Sequence, residues 1–243
     1  EERLTEKEKP MIKIENVEVF GWEAAIRGMR NPLNSWDKSD SGYGCHDEDD
    51  DGKTIIYLCK LCDEPCRMKA DYLIGTDDLE LMMKLCKAGT DHRKFMRMIN
   101  VTCDITAPMY WWSECDTYKV GTVRNSCSKM HTIHVKPFVL DDFSHEGCDQ
   151  IPAAMDVLEH AVNVCEHLRK LYNDTQDKKY WRALIEILPE SFNMRATLQL
   201  NYEVLTNMYH SRKAHKLDEW REFCEWVGGL PYSVIITGNS DNA

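Results

Sequence analysis

The chain has 243 residues, of which 43% are apolar, and carries a formal net charge of −11 with a pI near 5.3. This length allows one large domain or two small ones. The acidic balance argues against general nucleic-acid binding, which needs a basic face, and no apolar run approaches the roughly 20 residues of a membrane span. The eleven cysteines, without a secretory signal, indicate free thiols, so we expect a cytoplasmic protein.

The first fifty residues alternate between charged segments and short regular elements. Residues 1–10 are nearly all charged and are expected to be a disordered leader. Alternating apolar residues predict a strand over Met11–Phe20, with a break in phase near Asn16, and a helix follows over Trp22–Met29. Residues 34–53 are polar and acidic, which is typical of a flexible loop.

A cysteine group follows this acidic segment. Cys59 and Cys62 have C-x-x-C spacing, Cys66 comes soon after, and Cys45 and His46 lie upstream. Structural zinc needs four thiolate or imidazole ligands, whereas only one closely spaced pair is present. Reduced, partly buried thiols are therefore the preferred interpretation, with structural zinc as the alternative, and we name no residue as a metal ligand.

The middle of the chain predicts helix, strand and helix. A helix is expected to begin at Thr76 or Asp77 and to close at Gly89. Residues 99–105 alternate as a half-buried strand, and residues 109–119 fit a helix with an aromatic start.

The stretch from Thr117 to His131 has too little apolar surface to be core. Asn125, Ser126 and Ser128 supply amide and hydroxyl groups within four positions. It is either a solvated loop or a loop whose donors hold an anion or a nucleotide.

The C-terminal half predicts one further strand and four helices. The strand covers residues 133–140, a polar loop follows, and the helices are expected at 154–172, 178–188, 196–210 and 218–227. In the third of these helices Asn201, Leu205, Met208 and Arg212 would share a face, which is an unusual set for a core.

The order of these elements, with the Leu188-Pro189 pair and the polar helix after it, resembles flavin-dependent thymidylate synthase. The resemblance covers residues 11–227 of a domain extending to residue 232, with 40–75 as an added acidic, cysteine-bearing segment and 233–243 as a tail. It implies a single-domain α/β (α+β) fold with a central, mostly antiparallel sheet flanked by helices. It also implies a homotetramer, while the charge and hydropathy already predict no nucleic-acid or membrane partner.

The family's first signature is only partly present. Asn125 and Ser128 match its asparagine and serine if one extra residue is allowed. Thr117, Tyr118 and Lys119 stand in place of an Arg-His-Arg group, so only Lys119 keeps a positive charge. The resemblance makes Lys119 and Ser128 the catalytic candidates. Ser128 has no neighbouring base in the sequence, so nucleotide binding through its hydroxyl is the more conservative role.

Further departures fall in the same signature. Ser126 replaces a glutamate, and Met130 replaces an arginine. The resemblance assigns Ser126 to substrate binding together with Asn125 and Ser128. His92 and Arg93 lie where the family has a histidine-rich turn, and they are expected to take part of its role towards FAD.

The C-terminal signature is matched without a gap as far as Arg212. Asn201 and Asn207 fall on asparagines that lie along FAD in the family, and Arg212 falls on the arginine that binds the dUMP phosphate. His215 matches a flavin-contacting histidine if one residue is missing. Glu203 stands where the family has an arginine.

The resemblance implies transfer of a methylene group from methylenetetrahydrofolate to carbon 5 of dUMP, completed by a hydride that NADPH supplies through FAD. Three hypotheses follow. The chain is such an enzyme, or a nucleotide- or flavin-binding protein on the same scaffold that does not make dTMP, or an interaction protein organised by a small metal site at the cysteine group.

Overall fold

A computed structural model of the chain describes residues 11–48, 54–58 and 72–238. The predicted leader and Cys59, Cys62 and Cys66 lie outside these ranges. Cys45 and His46 lie on a described strand, but the structure does not describe their side chains. The zinc interpretation of the cysteine group therefore lies largely outside the described residues.

The described chain contains strands and helices in mixed order. The strands are β1 (Lys13–Phe20), β2 (Gly42–Glu48), β3 (Thr54–Leu58), β4 (Tyr72–Leu73), β5 (Asn100–Pro108), β6 (Val123–Ser126) and β7 (Asn193–Asn201). The helices are α1 (Trp22–Arg30), α2 (Thr76–Lys87), α3 (Met109–Cys115), α4 (Lys129–Thr132), α5 (Pro152–Thr175), α6 (Lys178–Ile187), α7 (Tyr202–Arg212), α8 (Asp218–Gly228) and α9 (Val234–Thr237). Short 3-10 turns lie at residues 31–33, 36–38, 94–97 and 140–142.

The chain divides into two compact units. Of the described residues, the first unit holds 11–18, 102–199 and 211–226, and the second holds the remainder. The main sheet has the strand order β1-β5-β7-β6, and most of its residues belong to the first unit. A smaller sheet of order β3-β2-β4, with antiparallel pairs, belongs to the second unit.

The sheet confirms the predicted alternation of β5 and the break in β1. Val101, Cys103 and Ile105 are fully buried, as a strand with one covered face requires. Asn16 has a φ of 51°, and its side-chain amide donates to Asp104 at 2.8 Å. An asparagine tolerates this left-handed conformation better than most residues, which accounts for the phase slip.

The predicted helix over residues 196–210 is wrong in its first part. Residues 193–201 form β7, in which Ala196, Leu198 and Leu200 are buried while the residues between them are exposed. This period of two indicates a strand, and the helix begins only at Tyr202. Asn201 therefore does not share a helical face with Arg212.

Two other expectations change in the first unit. The polar stretch is not wholly a loop, because Val123–Ser126 pairs antiparallel with β7 and a short helix follows. No strand forms over residues 133–140. Pro137 lacks an N–H for a ladder there, and Val135 and Val139 are 62% and 54% exposed.

The core of the first unit has two parts. One is a cluster under α5 and α6, built from Ile133, Phe138, Phe143, Leu158, Val162, Cys165 and Leu184. The other is aromatic: Trp111 on α3 packs against Trp220 and Phe223 on α8, with ring centroids 4.7 and 5.7 Å away. This aromatic part fixes α3 and α8 against each other beside the polar stretch.

In the second unit, α2 begins differently from the prediction. The N-cap is Gly75, and the carboxylate of Asp40 accepts from the backbone N–H groups of Asp77 and Asp78 at 2.9 and 3.0 Å. A Cβ at position 75 would collide with the Asp40 carboxylate, so a larger residue there would have to displace this capping side chain. The expected flexible loop over 34–53 is thus partly ordered by helix capping and by β2.

Asp78 is the buried charge of the second unit. It is fully buried and accepts hydrogen bonds from Arg30, Ser39 and Ser41, each at 2.6 Å. Burial alone would raise the pKa of Asp78, but these hydrogen bonds outweigh it and hold the pKa below its ordinary value. The carboxylate therefore stays ionised beside the buried Arg30.

The C-terminal residues belong to the second unit rather than forming a tail throughout. Val234, Ile235 and Ile236 of α9 are buried, at 2%, 3% and 1% exposed. Residues beyond Gly238 lie outside the described ranges.

We expect Asp78→Ala to lower the free energy of unfolding by about 3–5 kcal/mol, because it leaves the Arg30 guanidinium buried without its counter-ion. Urea denaturation followed by circular dichroism measures this loss. Asp77→Ala is the matched control: Asp77 is exposed, and its loss should cost less than about 1 kcal/mol. Since the folded pKa of Asp78 is lowered, its stabilisation should be complete above a pH of about 4 and fade as pH falls through the folded value. Equal losses in the two variants would contradict the assignment.

Candidate functional site

Arg212, the residue predicted to bind phosphate, is held in place within the first unit. Its Nε donates to the hydroxyl of Tyr118 at 3.0 Å, and its Nη1 forms a hydrogen-bonded ion pair with Glu114. The Arg212 side chain is 18% exposed and the Glu114 side chain 35% exposed. The guanidinium is therefore oriented before any ligand arrives.

Two aromatic rings complete the surroundings of this guanidinium. The Arg212 Cζ lies 4.7 Å from the ring centroid of Trp220 and 5.6 Å from that of Tyr118. Trp220 also donates its indole N–H to Glu114 at 3.1 Å. Cation–π contacts and this shared acceptor fix both members of the ion pair. We call Glu114, Tyr118, Arg212, His215 and Trp220 the Arg212 cluster.

His215 brings an imidazole ring to the same cluster. Its Nδ1 accepts from the Leu217 N–H at 3.2 Å, and its Nε2 lies 2.9 Å from Arg212 Nη1 and 3.4 Å from the Glu114 carboxylate. Because Nδ1 accepts, Nε2 is the nitrogen that carries the proton of a neutral ring, and the Glu114 carboxylate is its nearby acceptor. The predicted flavin contact of His215 stays a prediction.

The cluster leaves one part of the arginine available. Among the described residues, no hydrogen-bond partner is found for Arg212 Nη2, whereas Nε and Nη1 are both engaged. A guanidinium binds planar oxygen pairs through two parallel N–H groups, so Nη2 can donate to a phosphate or carbonyl oxygen. Glu114 partly neutralises the charge that such an anion would meet.

Lys119 lies at a separate cavity of about 430 Å³ in the first unit. Its polar lining comes from Lys119, Thr122, Arg124 and Asp116. Arg124 pairs with Asp116 at 3.1 Å, and its guanidinium lies 4.8 Å from the ring centroid of Trp112. Two cations, one carboxylate and one hydroxyl give this cavity a net positive charge, which suits a small anion.

Cys115 also lines the cavity at Lys119, but it is not a nucleophile at neutral pH. Burial raises the pKa of its thiol to about 12, because a thiolate there would be poorly solvated. The thiol form is far less reactive.

The three polar residues of the stretch that follows do not converge on one point. Asn125 is exposed and pairs across the sheet with Thr197, while Ser126 pairs with Ala196. The carbonyl of Ser128 accepts from the N–H of Thr132 at 3.0 Å at the start of α4. Among the described contacts, none links the Ser128 hydroxyl to a general base. Its assignment to nucleotide binding stays a prediction.

Four of the predicted FAD contacts lie in the second unit. Arg93 pairs with Glu203, with Nε 2.9 Å from Oε2 and Nη2 donating to Oε1 at 3.2 Å. Asn201 accepts from the N–H of Val204 at 3.0 Å and so caps α7. His92 and Asn207 are exposed. Arg93 and Asn201 therefore already have structural partners.

Sequence reasoning missed Glu114, Trp220 and Arg124. Glu114 and Arg212 are 98 positions apart, and no local spacing links a carboxylate on one helix to an arginine at the end of another. The one available signal was the exchange of the family's histidine for Tyr118, since a phenol can accept from a guanidinium.

Neither a metal site nor a membrane span is found where the structure describes the chain. No group of three or more His, Cys, Asp or Glu residues in those ranges is placed to hold a metal ion. No helix in the same ranges is long and apolar enough to cross a bilayer.

Comparison with known proteins identifies a similar fold in solved structures but no matching family or curated protein. No protein-family model and no curated protein matches the chain. Its fold is similar to a crystal structure of flavin-dependent thymidylate synthase ThyX from Helicobacter pylori complexed with FAD and dUMP. The identity is 16% and the TM-score 0.62, over 93% of this chain and 97% of that one. A second structure of ThyX from Helicobacter pylori, also with FAD and dUMP, has 15% identity and a TM-score of 0.62 over 93% and 96%.

This likeness confirms the predicted fold class. The chain is a mixed α/β protein whose antiparallel sheet is flanked by helices, as in those two structures.

We expect Glu114→Gln to tighten the binding of a phosphate-bearing anion at Arg212, probed with inorganic phosphate, by up to roughly fivefold, about 1 kcal/mol, because the carboxylate no longer competes for the guanidinium. Titration calorimetry measures the change. Glu186→Gln is the matched control, since Glu186 pairs with Arg182 on the exposed face of α6 and should leave the affinity unchanged. Weaker binding by the Glu114 variant would show that the carboxylate orients Arg212 more than it competes.

Proposed function

We propose that this chain is a flavin-dependent thymidylate synthase-like protein that binds FAD and dUMP and methylates the pyrimidine at C5. Methylenetetrahydrofolate and NADPH would be its co-substrates. The observation that carries the proposal is the correspondence of fold, over nearly the full length of both chains, with enzymes that hold FAD and dUMP. The Arg212 cluster supports it with a preoriented guanidinium.

The phosphate is the part of the nucleotide that this chain fits best. Arg212 has a fixed orientation and two N–H groups on Nη2. The separate cavity at Lys119, with Thr122 and Arg124, is the other candidate position for the phosphate. Asn125, Ser126 and Ser128 are the proposed contacts to the remainder of the nucleotide. Holding the pyrimidine in one orientation is the protein's contribution to the reaction.

A bound flavin would supply the hydride that completes the methyl group. Asn201 uses its side-chain oxygen to cap α7, which leaves its NH₂ group for a flavin carbonyl. Arg93 is paired with Glu203, so a flavin contact from Arg93 would use its remaining N–H groups. Asn207, His92 and His215 are the other proposed cofactor contacts.

A second candidate function is nucleotide or flavin binding without synthesis of dTMP. Thr117, Tyr118 and Lys119 occupy the positions of the family's Arg-His-Arg group, and Tyr118 is engaged by Arg212. Charge that develops on the uracil ring would therefore meet fewer cationic donors.

The two candidates differ in one measurement. We expect the purified protein to show a flavin absorbance spectrum and to form dTMP from dUMP when methylenetetrahydrofolate and NADPH are added. Omission of NADPH is the control for turnover. A flavin spectrum without dTMP would support the binding protein. The absence of both would refute the enzyme, and the absence of dUMP binding in titration calorimetry as well would refute the binding protein.

The role of Arg212 is tested separately. Arg212→Ala should weaken dUMP binding by about 1.5–3 kcal/mol, the usual scale of a hydrogen bond to a charged group. Titration calorimetry gives the affinity, and Arg182→Ala on the exposed face of α6 is the matched control. An unchanged affinity in the Arg212 variant would remove the phosphate role.

Assembly is a further part of the proposal. The resemblance implies a homotetramer, and light scattering on the purified chain would give its molar mass.

A further inference from the structure

The second unit contains an aromatic cavity whose residues have no part in the proposed reaction. It has a volume of about 700 Å³, within the range of small-molecule sites. All of its lining residues lie in the second unit, and none belongs to the Arg212 cluster or to the predicted site residues. The lining includes five aromatic side chains and one ion pair: Phe20, Trp22, Tyr43, Tyr72, Tyr232, Glu23 and Arg27.

Four of the aromatic rings form two steeply angled pairs. Trp22 and Tyr232 have centroids 5.3 Å apart and ring planes at 72°, and Tyr43 and Tyr72 have centroids 5.1 Å apart and ring planes at 89°. Both pairs line the cavity, yet among the described residues no ring contact joins one pair to the other. Open space therefore separates them, and each pair presents a corner rather than a parallel slot. A corner of rings surrounds a rounded group better than it holds a flat ring.

The wall formed by Trp22 and Tyr232 is fixed in position. Gly21, directly before Trp22, has a φ of 97°, and a Cβ there would collide with the backbone carbonyl oxygen of Met98. The Tyr232 hydroxyl accepts from the backbone N–H of Ile74 at 2.9 Å. Trp22 itself is only 6% exposed. This side of the cavity is therefore formed before any ligand binds.

The ring faces at the cavity are not used by cations of this chain. Among the described residues, no arginine or lysine lies over these four rings, whereas Arg124 and Arg212 lie over rings of the first unit. Tyr43 is 56% exposed and Phe20 is 46% exposed, so the cavity can be reached from solvent. The face of an aromatic ring is negative and attracts a cation placed over it. The cavity thus offers unoccupied faces to a cation from outside.

Glu23 adds a preference for positive charge. Its carboxylate accepts from the Tyr43 hydroxyl at 3.3 Å and from Arg27 Nη1 at 2.6 Å. The Arg27 side chain is 62% exposed and that of Glu23 is 50% exposed, so water screens the arginine more. Burial, followed by the charge of Glu23, raises the pKa of Tyr72 to about 12, and Arg27 opposes this rise less than Glu23 promotes it. The field at Tyr72 is therefore negative on balance.

These features narrow the class of ligand. An anion would meet negative ring faces and the Glu23 carboxylate. A flat heterocycle would find no parallel pair of rings to enter. A primary ammonium would give up strongly bound water for few acceptors, whereas a quaternary ammonium has no N–H groups that need partners.

We propose that this cavity binds a small molecule that carries a quaternary ammonium group, such as the trimethylammonium group of choline. Its methyl groups contact the rings of Trp22, Tyr43, Tyr72 and Tyr232, and the Glu23 carboxylate balances its charge. The group is absent from dUMP, FAD, methylenetetrahydrofolate and NADPH. The inference therefore goes beyond the proposed function and does not depend on it.

The test is titration calorimetry on the full chain with choline as the probe. Its neutral isostere, 3,3-dimethylbutanol, has the same shape without the charge, and ethanolamine has a primary ammonium instead of the quaternary one. Choline should bind at least about tenfold more tightly than either, because cation–π attraction needs the charge and the cavity offers few acceptors for N–H groups.

Two further measurements separate this cavity from the site of the proposed reaction. The flat cation 1-methylnicotinamide stands for the oxidised ring that NADPH leaves behind, and it should bind at least about tenfold more weakly than choline, since the cavity has no parallel slot. Saturating dUMP, FAD, methylenetetrahydrofolate or NADPH, each added alone, should leave the choline affinity unchanged. These titrations need no turnover, so their result is independent of whether the chain makes dTMP.

Tyr43 allows a matched pair of substitutions. Tyr43→Leu removes the ring and should weaken choline binding at least about fivefold, whereas Tyr43→Phe keeps the ring and should stay within about twofold of the parent chain. Trp36→Leu, at another exposed aromatic residue of the second unit, is the control and should change nothing. Glu23→Gln should weaken choline binding and Arg27→Gln should strengthen it, the signs expected when these two charges set the field.

Five results would overturn the proposal. They are no binding of choline, equally tight binding of the neutral isostere, equally tight binding of 1-methylnicotinamide, displacement of choline by a substrate or cofactor of the proposed reaction, and equal losses in the two Tyr43 variants. All the substituted side chains are half exposed or more, so circular dichroism should show the variants folded. Tyr43→Phe changes one hydroxyl only and keeps the comparison decisive.

Discussion

The ion pair between Arg212 and Glu114 organises the first unit around its polar stretch. Glu114 is on α3, Arg212 ends α7, and Trp220 on α8 contacts both. A partly exposed ion pair by itself stabilises little. Here the pair also accepts an indole N–H, packs against two rings and donates to a phenol, so its orientation is fixed from several sides. An anion that approached Arg212 would therefore meet a guanidinium whose charge is partly neutralised by Glu114.

The second unit also contains arginine side chains that are held by carboxylates. Arg30 is paired with Asp78, and Arg93 is paired with Glu203. The second pair is informative, because the resemblance places an arginine at position 203 and a flavin contact near position 93. Two arginines in contact would repel, whereas a carboxylate at 203 ties Arg93 to α7. The change at 203 thus has a structural explanation within this chain, independent of any cofactor.

The sequence predicted the elements whose pattern is local. The alternation of Val101, Cys103 and Ile105 and the long apolar stripe of α5 each lie within one segment, and both elements were found. Strand β7 is hard to predict because its alternation runs directly into a helix. Asn201, at the junction, has the same spacing as the helical residues that follow it. The fold class was recoverable from the order of elements.

The site was harder to predict for a physical reason. Its residues are brought together by tertiary packing, so the pairs of Arg212 with Glu114 and of Arg93 with Glu203 leave no spacing signal. Residue matching singled out Arg212 but could not show that its guanidinium already has a partner. The cap of α2 was missed in the same way, since Asp40 is distant in sequence from the N–H groups it accepts from.

That cap has a consequence for how this chain tolerates change. Gly75 donates its N–H to the Ser41 hydroxyl at 3.0 Å, and Ser41 in turn donates to Asp78. The two ends of the segment from Ser41 to Gly75 are therefore joined by a hydrogen bond at the start of α2. When both ends of a segment are fastened together, its length has only a weak, logarithmic effect on the folding of the remainder. A change in the length of this segment should therefore have little effect on the helix at its base.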